Sequence, residues 1–447
     1  MNIKRKVMAL AVGAALAPCA YAQITSPAGT AWEFYGKFYP EMTHAHGDGA
    51  TVGAASDSTI GAKPAGVNAV IPRWEMQISN SYIGFRGDKQ IGGGSKAIWQ
   101  LEQTVNIDEG TTTGKGNATG ADIVSPSFAN RNSFVGVSGA AWGTIRLGNM
   151  DTPFKNYGNV LGFLGVNSGN IVSASNVKDK AGFGTSSASS FNLRRANAID
   201  FASPTIYGGL QSAVQYSIGN PDETQITTSP KRFPRVASWA VKWEQGPFYV
   251  GFMQETHFDL FGGSSQFKGP GFTVNPTTGA VTPNTVSPLR NTEDGSVNSK
   301  DTANQLVLVY KMGIHSFEAD LTTKKYSESN VTPTATGKFQ QYKNNSYLLL
   351  MENRWTNAWR TTFSYIKAAA GSCKLASLSN VPCNTTGLEG AQISAGVAYY
   401  LDPNAYVFGL FTKLKNGTSA QYNNLALQKA NPGEDITSGA VGFAYTF

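Results

Sequence analysis

The C-terminal segment that decides the fold reads Ala440-Val-Gly-Phe-Ala-Tyr-Thr-Phe447. Apolar side chains stand at every second position (Val441, Phe443, Tyr445 and Phe447), with small or polar residues between them. Successive side chains of a β-strand point to opposite faces. The segment therefore predicts a strand with one apolar face and one small, polar face.

The same alternation recurs along the chain, for example at Leu306, Leu308 and Tyr310. No segment keeps a 3.6-residue period, so we expect little helix. We count sixteen strand segments, centred near Phe38, Gly84, Gln100, Val135, Ile145, Ile199, Val214, Ala240, Phe252, Leu308, Ala319, Leu349, Phe363, Val397, Phe408 and Phe443.

The connections between these segments alternate in length. Short ones such as 139–143 and 402–404 carry Gly, Pro, Asn or Asp, which form tight turns. Long polar ones such as 48–70, 150–192 and 260–300 lie between them. Short turns at one end and long loops at the other are typical of outer-membrane barrels, and a ten-residue tilted strand spans the ~25 Å apolar band. The sequence predicts an all-β, transmembrane antiparallel barrel of about 16 strands with an aqueous lumen.

The composition agrees with a barrel wall. Charged residues make up 15% of the chain, against roughly a quarter in soluble domains. After Ala22 no apolar run approaches the ~20 residues of a spanning helix. One barrel also explains a long chain without domain boundaries.

The N-terminus has the features of a secretory signal. Residues 4–6 are basic, residues 7–17 are apolar, and Ala22 is small, as a cleavage site requires. We expect residues 1–22 to be removed and residues 23–447 to form the barrel. Loss of the three basic residues leaves a formal charge of about +4 from the initial +7, which is unlike a nucleic-acid binder.

The cysteines point to an oxidising compartment. Leu16-Ala17-Pro18-Cys19 loosely resembles a lipidation site, although Pro18 argues against it. Cys373 and Cys383 remain in the mature chain, and we expect them to form one disulfide on an exposed loop.

Several motifs resemble the general porins of Gram-negative bacteria, in particular the trimeric sixteen-stranded type of β-proteobacteria. In chain order they are Tyr35-Gly36-Lys37, Ser81-Tyr82-Ile83-Gly84-Phe85-Arg86-Gly87, Arg131-Asn132-Ser133-Phe134-Val135-Gly136-Val137, Trp142-Gly143-Thr144-Ile145-Arg146-Leu147-Gly148, Arg194-Arg195-Ala196-Asn197-Ala198-Ile199 before Ser203-Pro204, and the terminal Phe447.

The resemblance implies a third loop, residues 150–192, that folds into the barrel and narrows the pore. It carries Asp151, Lys155, Lys178 and Asp179 as candidate constriction residues. The acidic Pro-Glu-Phe-Gly-like turn of many family loops is missing. We therefore expect a weaker transverse field than in pores with an acidic loop.

The resemblance also implies a ladder of basic residues on the facing wall. The family's wall positions correspond to Lys37, Arg131 and Arg194, and strand parity adds Arg146 and, near a periplasmic turn, Arg86. One further wall position departs from the family, because Tyr82 stands where an arginine is common. These cations predict a bias toward anions, although side chains on a wet wall can also carry charge without setting selectivity.

The resemblance implies an outer-membrane porin through which small hydrophilic solutes and ions diffuse passively. It also implies a homotrimer in contact with outer-membrane lipid and lipopolysaccharide. Phe443, Tyr445 and Phe447 resemble the signal read by the outer-membrane assembly machinery, or act simply as lipid-facing anchors.

Three other functions stay open: a substrate-selective porin, a barrel enzyme, and a secreted β-rich adhesin. No catalytic motif stands out, so we do not expect an enzyme. We expect no cofactor and no metal, because His44 and His46 lack a third ligand at suitable spacing. We expect no nucleic-acid partner.

Overall fold

The computed structural model describes residues 24–25, 31–51, 68–78, 80–105, 129–166, 168–184, 190–219, 231–262, 265–266, 272–274, 281–283, 289–290, 297–329, 339–376 and 383–447. The predicted signal segment, residues 1–22, lies outside these ranges. Among the described residues, no helix has the length and apolar character needed to cross a bilayer.

In the described part of the chain, sixteen antiparallel strands form one closed sheet, in which each strand pairs with its neighbours along the chain and the last pairs with the first. All sixteen predicted centres lie within them, so the predicted strand number is confirmed. The strands are β1 (Ala31–Phe38 and Glu41–Asp48), β2 (Arg73–Gln77 and Tyr82–Gly92), β3 (Ser95–Thr104), β4 (Ser133–Gly139), β5 (Gly143–Asp151), β6 (Arg194–Ala202), β7 (Leu210–Ser217), β8 (Arg235–Gln245), β9 (Phe248–Phe258), β10 (Asn298–Met312), β11 (His315–Ser329), β12 (Phe339–Arg354), β13 (Trp359–Ala368, continued by Ser372–Leu375), β14 (Gly390–Asp402), β15 (Ala405–Asn416) and β16 (Asp435–Thr446).

Little regular structure lies outside this wall in the described part of the chain. The remaining elements are the strand Ile24–Thr25 beside β1, the helix α1 (Pro153–Tyr157), a 3₁₀ turn at Ala174–Asn176, and two small hairpins between β9 and β10, which pair Ser265–Gln266 with Leu289–Arg290 and Phe272–Val274 with Val281–Pro283.

The two faces of the wall differ in the way that the alternating sequence predicts. On β11, Phe317 and Leu321 are 38% and 48% exposed, whereas Glu318 and Asp320 between them are 3% and 4% exposed. The burial patterns of the other long strands alternate in the same way. Apolar side chains thus cover the outside of the barrel, and polar side chains face inward.

The barrel closes where β16 meets β1. The Gly36 amide donates to the Phe447 carbonyl oxygen at 2.9 Å, and the Phe447 amide donates to the Gly36 carbonyl oxygen at 3.0 Å. The Phe447 ring lies 5.4 Å from the ring centroids of both Phe34 and Phe38. A Cβ atom on Gly36 would lie 2.6 Å from this ring and 2.8 Å from the Tyr82 carbonyl oxygen. Residue 36 must therefore be glycine for the closing strands to approach this closely.

We expect Gly36→Ala to destabilise the closed barrel by about 1–3 kcal/mol, because the new methyl group overpacks the closing contact. Gly409→Ala is the matched control, since a Cβ atom there has no heavy atom nearer than 3.8 Å. Urea unfolding of the refolded proteins in detergent micelles measures the difference. Equal unfolding midpoints for the two variants would contradict this account of the closure.

Candidate functional site

The segment between β5 and β6, residues 152–193, is here called the inner loop. It forms hydrogen bonds with side chains on strands that are far apart around the barrel. The Gly158 carbonyl oxygen accepts from Gln305 Nε2 on β10 (2.8 Å), and the Leu164 carbonyl oxygen accepts from the Tyr406 hydroxyl on β15 (2.8 Å). The Leu161 amide donates to Glu318 Oε2 on β11 (2.7 Å), and Asn170 Nδ2 donates to Glu41 Oε2 on β1 (2.6 Å). These partners are inward-facing side chains on strands around the barrel, so the inner loop contacts the wall from its inner side.

A buried lysine fastens the inner loop to β11 and β12. The Lys178 ammonium donates to Asp320 Oδ2 at 2.6 Å, and neither side chain is exposed. The Lys178 carbonyl oxygen accepts from Lys324 Nζ and from Ser346 Oγ. Burial opposes the charge on Lys178, but the carboxylates of Asp320 and Asp179 outweigh it and raise the pKa of Lys178. The ammonium therefore stays charged where it holds the loop.

Contrary to the sequence prediction, Lys178 and Asp179 do not line the channel. Their relative exposures are 0% and 1%, because this part of the loop is pressed against the wall. Burial raises the pKa of Asp179, although the ammonium groups of Lys178 and Lys324 oppose the shift. Covered groups of this kind position the loop and do not present charge to passing ions. Asp151 does not lie in the inner loop either. It is the last residue of strand β5, directly before the loop begins.

Lys37, Tyr82 and Arg131 come together on the facing wall. Lys37 and Tyr82 are direct cross-strand neighbours on β1 and β2, and the Arg131 guanidinium lies 4.7 Å from the centroid of the Tyr82 ring. Lys37 Nζ donates to the Gly165 carbonyl oxygen at 2.8 Å. The inner loop thus approaches the wall at Lys37. We name Lys37, Arg131 and Arg194, together with Lys155 of the inner loop beside them, the wall cations.

Asp151 links the other two wall cations. One of its oxygens, Oδ1, lies 3.1 Å from Lys155 Nζ and 3.0 Å from Arg194. Arg131 forms its own pair with Glu102, with Nε and Oε1 2.5 Å apart. Burial lowers the pKa of Lys155, although Asp151 opposes the shift. The four wall cations therefore face two carboxylates, and positive charge is in excess.

Arg146 and Arg86 lie apart from this group, each with an acid of its own. Arg146 lies 2.5 Å from Asp200, a carboxylate that is 1% exposed. Arg86 pairs with Glu33 on the neighbouring strand β1. Neither Asp200 nor Glu33 is among the residues predicted from the sequence. Asp200 could have been found, because Ile199 and Phe201 beside it point outward and place it on the inner face of β6.

The other residues selected from the sequence lie away from the wall cations. A disulfide joins Cys373, in the Ser372–Leu375 part of β13, to Cys383, with Cα atoms 5.6 Å apart. Phe443 and Tyr445 share the outward face of β16 with Phe447, and the Tyr445 and Phe447 rings stack 5.8 Å apart.

A protein-family comparison decides where this barrel belongs. The model of the Gram-negative porins matches residues 9–419, which is most of the chain. The chain belongs to this family. Porins of this family lie in the bacterial outer membrane, and the curated relatives are outer-membrane proteins as well.

The major outer membrane protein P.IB of Neisseria gonorrhoeae is 42% identical over 84 residues, and that of Neisseria lactamica is 39% identical over 84 residues. Each match covers 19% of this chain and 20% of the relative, so the porin spans about a fifth of the length of these relatives.

Solved structures share the fold at low identity. The anion-selective porin from Comamonas acidovorans superimposes with a TM-score of 0.62 at 17% identity, covering 94% of this porin and 100% of that chain. A trimer form of OmpT from Vibrio cholerae gives 0.54 at 12% identity, covering 94% and 99%. OmpF of Salmonella typhi in complex with daunomycin gives 0.50 at 14% identity, covering 94% and 98%. These likenesses support the barrel architecture.

We expect Lys324→Met to loosen the inner loop, because the lost donor leaves the Lys178 carbonyl oxygen and Ser346 with fewer partners, at a cost of about 1–3 kcal/mol. Lys325→Met is the matched control, because the next side chain along β11 points outward and is exposed. Limited proteolysis within residues 152–193 and the frequency of single-channel closures both measure loop mobility. An increase in both for Lys324→Met alone is the expected result, and identical behaviour of the two variants would refute the anchor.

Proposed function

We propose that this porin is a water-filled channel through which small hydrophilic solutes and ions diffuse passively, with a preference for anions. The observation that carries the proposal is the placement of the wall cations where the inner loop meets the wall at Lys37. A polar inner wall and a closed, sixteen-stranded sheet supply the aqueous path.

The preference for anions follows from the charge balance beside the inner loop. Low-dielectric walls concentrate the field of charged groups in a narrow channel and raise the local concentration of counter-ions. The wall cations outnumber Glu102 and Asp151. Arg86 and Arg146, with acids of their own, contribute less. The net potential beside the loop is positive, so we infer that anions enter more readily.

A passive channel fits the chain better than an enzyme. Among the described residues, histidine side chains pair with Asp48, Glu255 and Asn353, and none of these partners is a nucleophilic hydroxyl or thiol. Ser-His or Cys-His catalysis needs that contact. A substrate-selective pore is the nearest alternative, and measured permeabilities of a solute series separate it from a general pore.

The remaining partners are part of the same proposal. We infer that the porin acts as a homotrimer, for which a trimeric structural neighbour gives precedent. We also infer that residues 1–22 direct export, that the barrel contacts outer-membrane lipid and lipopolysaccharide, and that the assembly machinery reads Phe443, Tyr445 and Phe447.

We expect Arg131→Gln with Arg194→Gln to lower the anion-to-cation permeability ratio roughly two- to fivefold, because two cations leave the wall while Glu102 and Asp151 keep their charge. The control, Lys89→Gln with Lys325→Gln, removes the same charge from outward positions. Reversal potentials across a planar bilayer under a KCl gradient measure the ratio. Unchanged selectivity, or cation preference in the unmodified protein, would rule out the proposed role of the wall cations.

We expect Phe447→Ala to lower the amount of porin assembled in the outer membrane of cells severalfold, while the purified variant still refolds in detergent, because the backbone contact with Gly36 remains. Phe411→Ala is the control, since Phe411 is an outward aromatic residue on β15 that is 50% exposed. Heat-modifiable mobility on gels of outer-membrane fractions reports assembly. Equal assembly of the two variants would leave the terminal aromatic residues as lipid anchors only.

A further inference from the structure

A recess lies between the inner loop and the wall, apart from the wall cations. α1 and residues 159–160 of the inner loop form one side of it, and inward residues of β5–β9 form the other. Its volume is about 480 Å³, and small-molecule sites in proteins range from about 300 to 1,000 Å³. We name it the polar recess after the charged and aromatic residues that line it: Arg146, Tyr157, Asp200, Lys242, Glu244 and Tyr249.

The inner-loop side of the polar recess is fastened to the wall. Phe154 of α1 is buried, and its amide donates to Ser238 Oγ on β8 at 3.0 Å. The Tyr249 hydroxyl on β9 donates to the carbonyl oxygen of Tyr157, the last residue of α1, at 2.6 Å. These contacts hold α1 against β8 and β9, so the two sides of the polar recess keep a fixed separation.

Two ion pairs line the polar recess, and each cation has a carboxylate of its own. Arg146 Nε and Nη2 both donate to Asp200 Oδ1, at 2.9 and 2.5 Å. Lys242 Nζ lies 3.0 Å from Glu244 Oε2. Two cations therefore face two carboxylates, in contrast to the excess of positive charge at the wall cations. A solute with a net charge gains little here, because it would have to separate an existing pair.

The ion pairs keep hydrogen-bonding capacity for a third group. The side chains of Arg146, Lys242 and Glu244 are 24%, 22% and 41% exposed, so a solute in the lumen can reach both kinds of charge. Guanidinium and ammonium groups only donate, and ionised carboxylates only accept, whereas a hydroxyl group does both. Neighbouring hydroxyl groups can therefore bind a cation and its carboxylate together without separating them.

Two amide side chains add acceptors to the polar recess. Asn156 Nδ2 donates to the Asp151 carbonyl oxygen at 3.1 Å, and Gln211 Nε2 donates to the Ser203 carbonyl oxygen at 3.2 Å. Within the described part of the chain, the side-chain oxygens of Asn156 and Gln211 form no hydrogen bond. Both amides line the polar recess, so these oxygens are acceptors for the hydroxyl groups of a solute.

Two tyrosine rings flank the lysine of the polar recess. Lys242 Nζ lies 5.8 Å from the centroid of the Tyr157 ring and 5.7 Å from that of the Tyr249 ring. Burial and the Asp200 carboxylate raise the pKa of Tyr157, whereas the Arg146 guanidinium opposes the shift. The Tyr157 hydroxyl therefore stays protonated. An aromatic ring beside groups that donate and accept suits a solute with a C–H face and a hydroxyl edge.

We propose that the polar recess is a binding subsite for uncharged polyhydroxylated solutes of the size of a mono- or disaccharide. Hydroxyl groups bridge the Lys242–Glu244 pair, and the C–H face of the solute lies against Tyr157. The proposal rests on the proposed function, because it assigns a solute class to the same channel. It separates this porin from a pore that sorts neutral solutes by size alone.

The test uses the full-length barrel in a planar bilayer at high salt, with sucrose as the probe. Bound sucrose interrupts the ion current, and the current noise at increasing sucrose concentration gives the dissociation constant. Lys242→Met with Glu244→Met leaves the net charge unchanged. This variant is expected to weaken sucrose binding roughly tenfold, because it removes hydrogen bonds to charged groups.

The matched control is Lys96→Met with Asp88→Met. It removes an inward ion pair, 3.3 Å apart, between β2 and β3 and outside the polar recess. We expect it to bind sucrose as the unmodified protein does. A second variant, Tyr157→Leu, changes the inner loop and leaves every wall strand intact, and it is expected to weaken sucrose binding severalfold.

A second probe separates recognition from size. An oligo(ethylene glycol) dimethyl ether of about the same molecular mass accepts hydrogen bonds but donates none, and it is expected not to interrupt the current. Equal sucrose affinity of the Lys242→Met, Glu244→Met variant and the control, or equal affinity for sucrose and the ether, would overturn the proposal. Conductance and reversal potential are measured on the same channels. A conducting, anion-preferring channel without sucrose binding refutes the subsite alone, whereas a protein that forms no channel refutes the proposed function.

Discussion

Closure of the sheet is the constraint on which the rest of this porin depends. Inside a bilayer every backbone amide and carbonyl must find a partner within the protein, and an open sheet edge cannot. The pairing of β16 with β1 removes the last edge, and it does so around Gly36, where the Phe447 ring leaves no room for a side chain. Once the wall is closed, the outward face of every strand contacts lipid, and the inward face contacts water or other parts of the protein.

The charged groups of the inner face fall into two sets. One set of charged groups, Lys178, Asp179 and Asp320, is covered and holds the inner loop against the far wall. Another set, the wall cations, stays beside the loop with fewer carboxylates than it would need for neutrality. Buried pairs and wet charges thus lie within one barrel and have different roles, anchoring in the first case and the proposed attraction of anions in the second.

The outer face follows the same division by depth. Exposed apolar residues such as Leu308 and Phe252 cover the middle of the wall, and exposed lysines such as Lys300 and Lys367 stand on its outward face toward the long loops. A charge near the membrane boundary costs little, whereas the same charge at the midplane costs about 2–4 kcal/mol. Position along the strand therefore decides where an outward lysine is tolerated.

The sequence by itself determined the strands and the face of each residue. Alternation has a period of two, so Val441, Phe443 and Tyr445 assign the lipid side of β16 locally, without knowledge of any neighbour. Lys37, Arg131 and Arg194 were assigned to the wall by the motifs around them. Only the tertiary structure decided which charges meet, because the partners lie on different strands or in the loop: Asp200 takes Arg146, Glu33 takes Arg86, and Asp320 takes Lys178 away from the channel. Pairing across strands depends on register and on the path of the inner loop, and neither is written in the local pattern of residues.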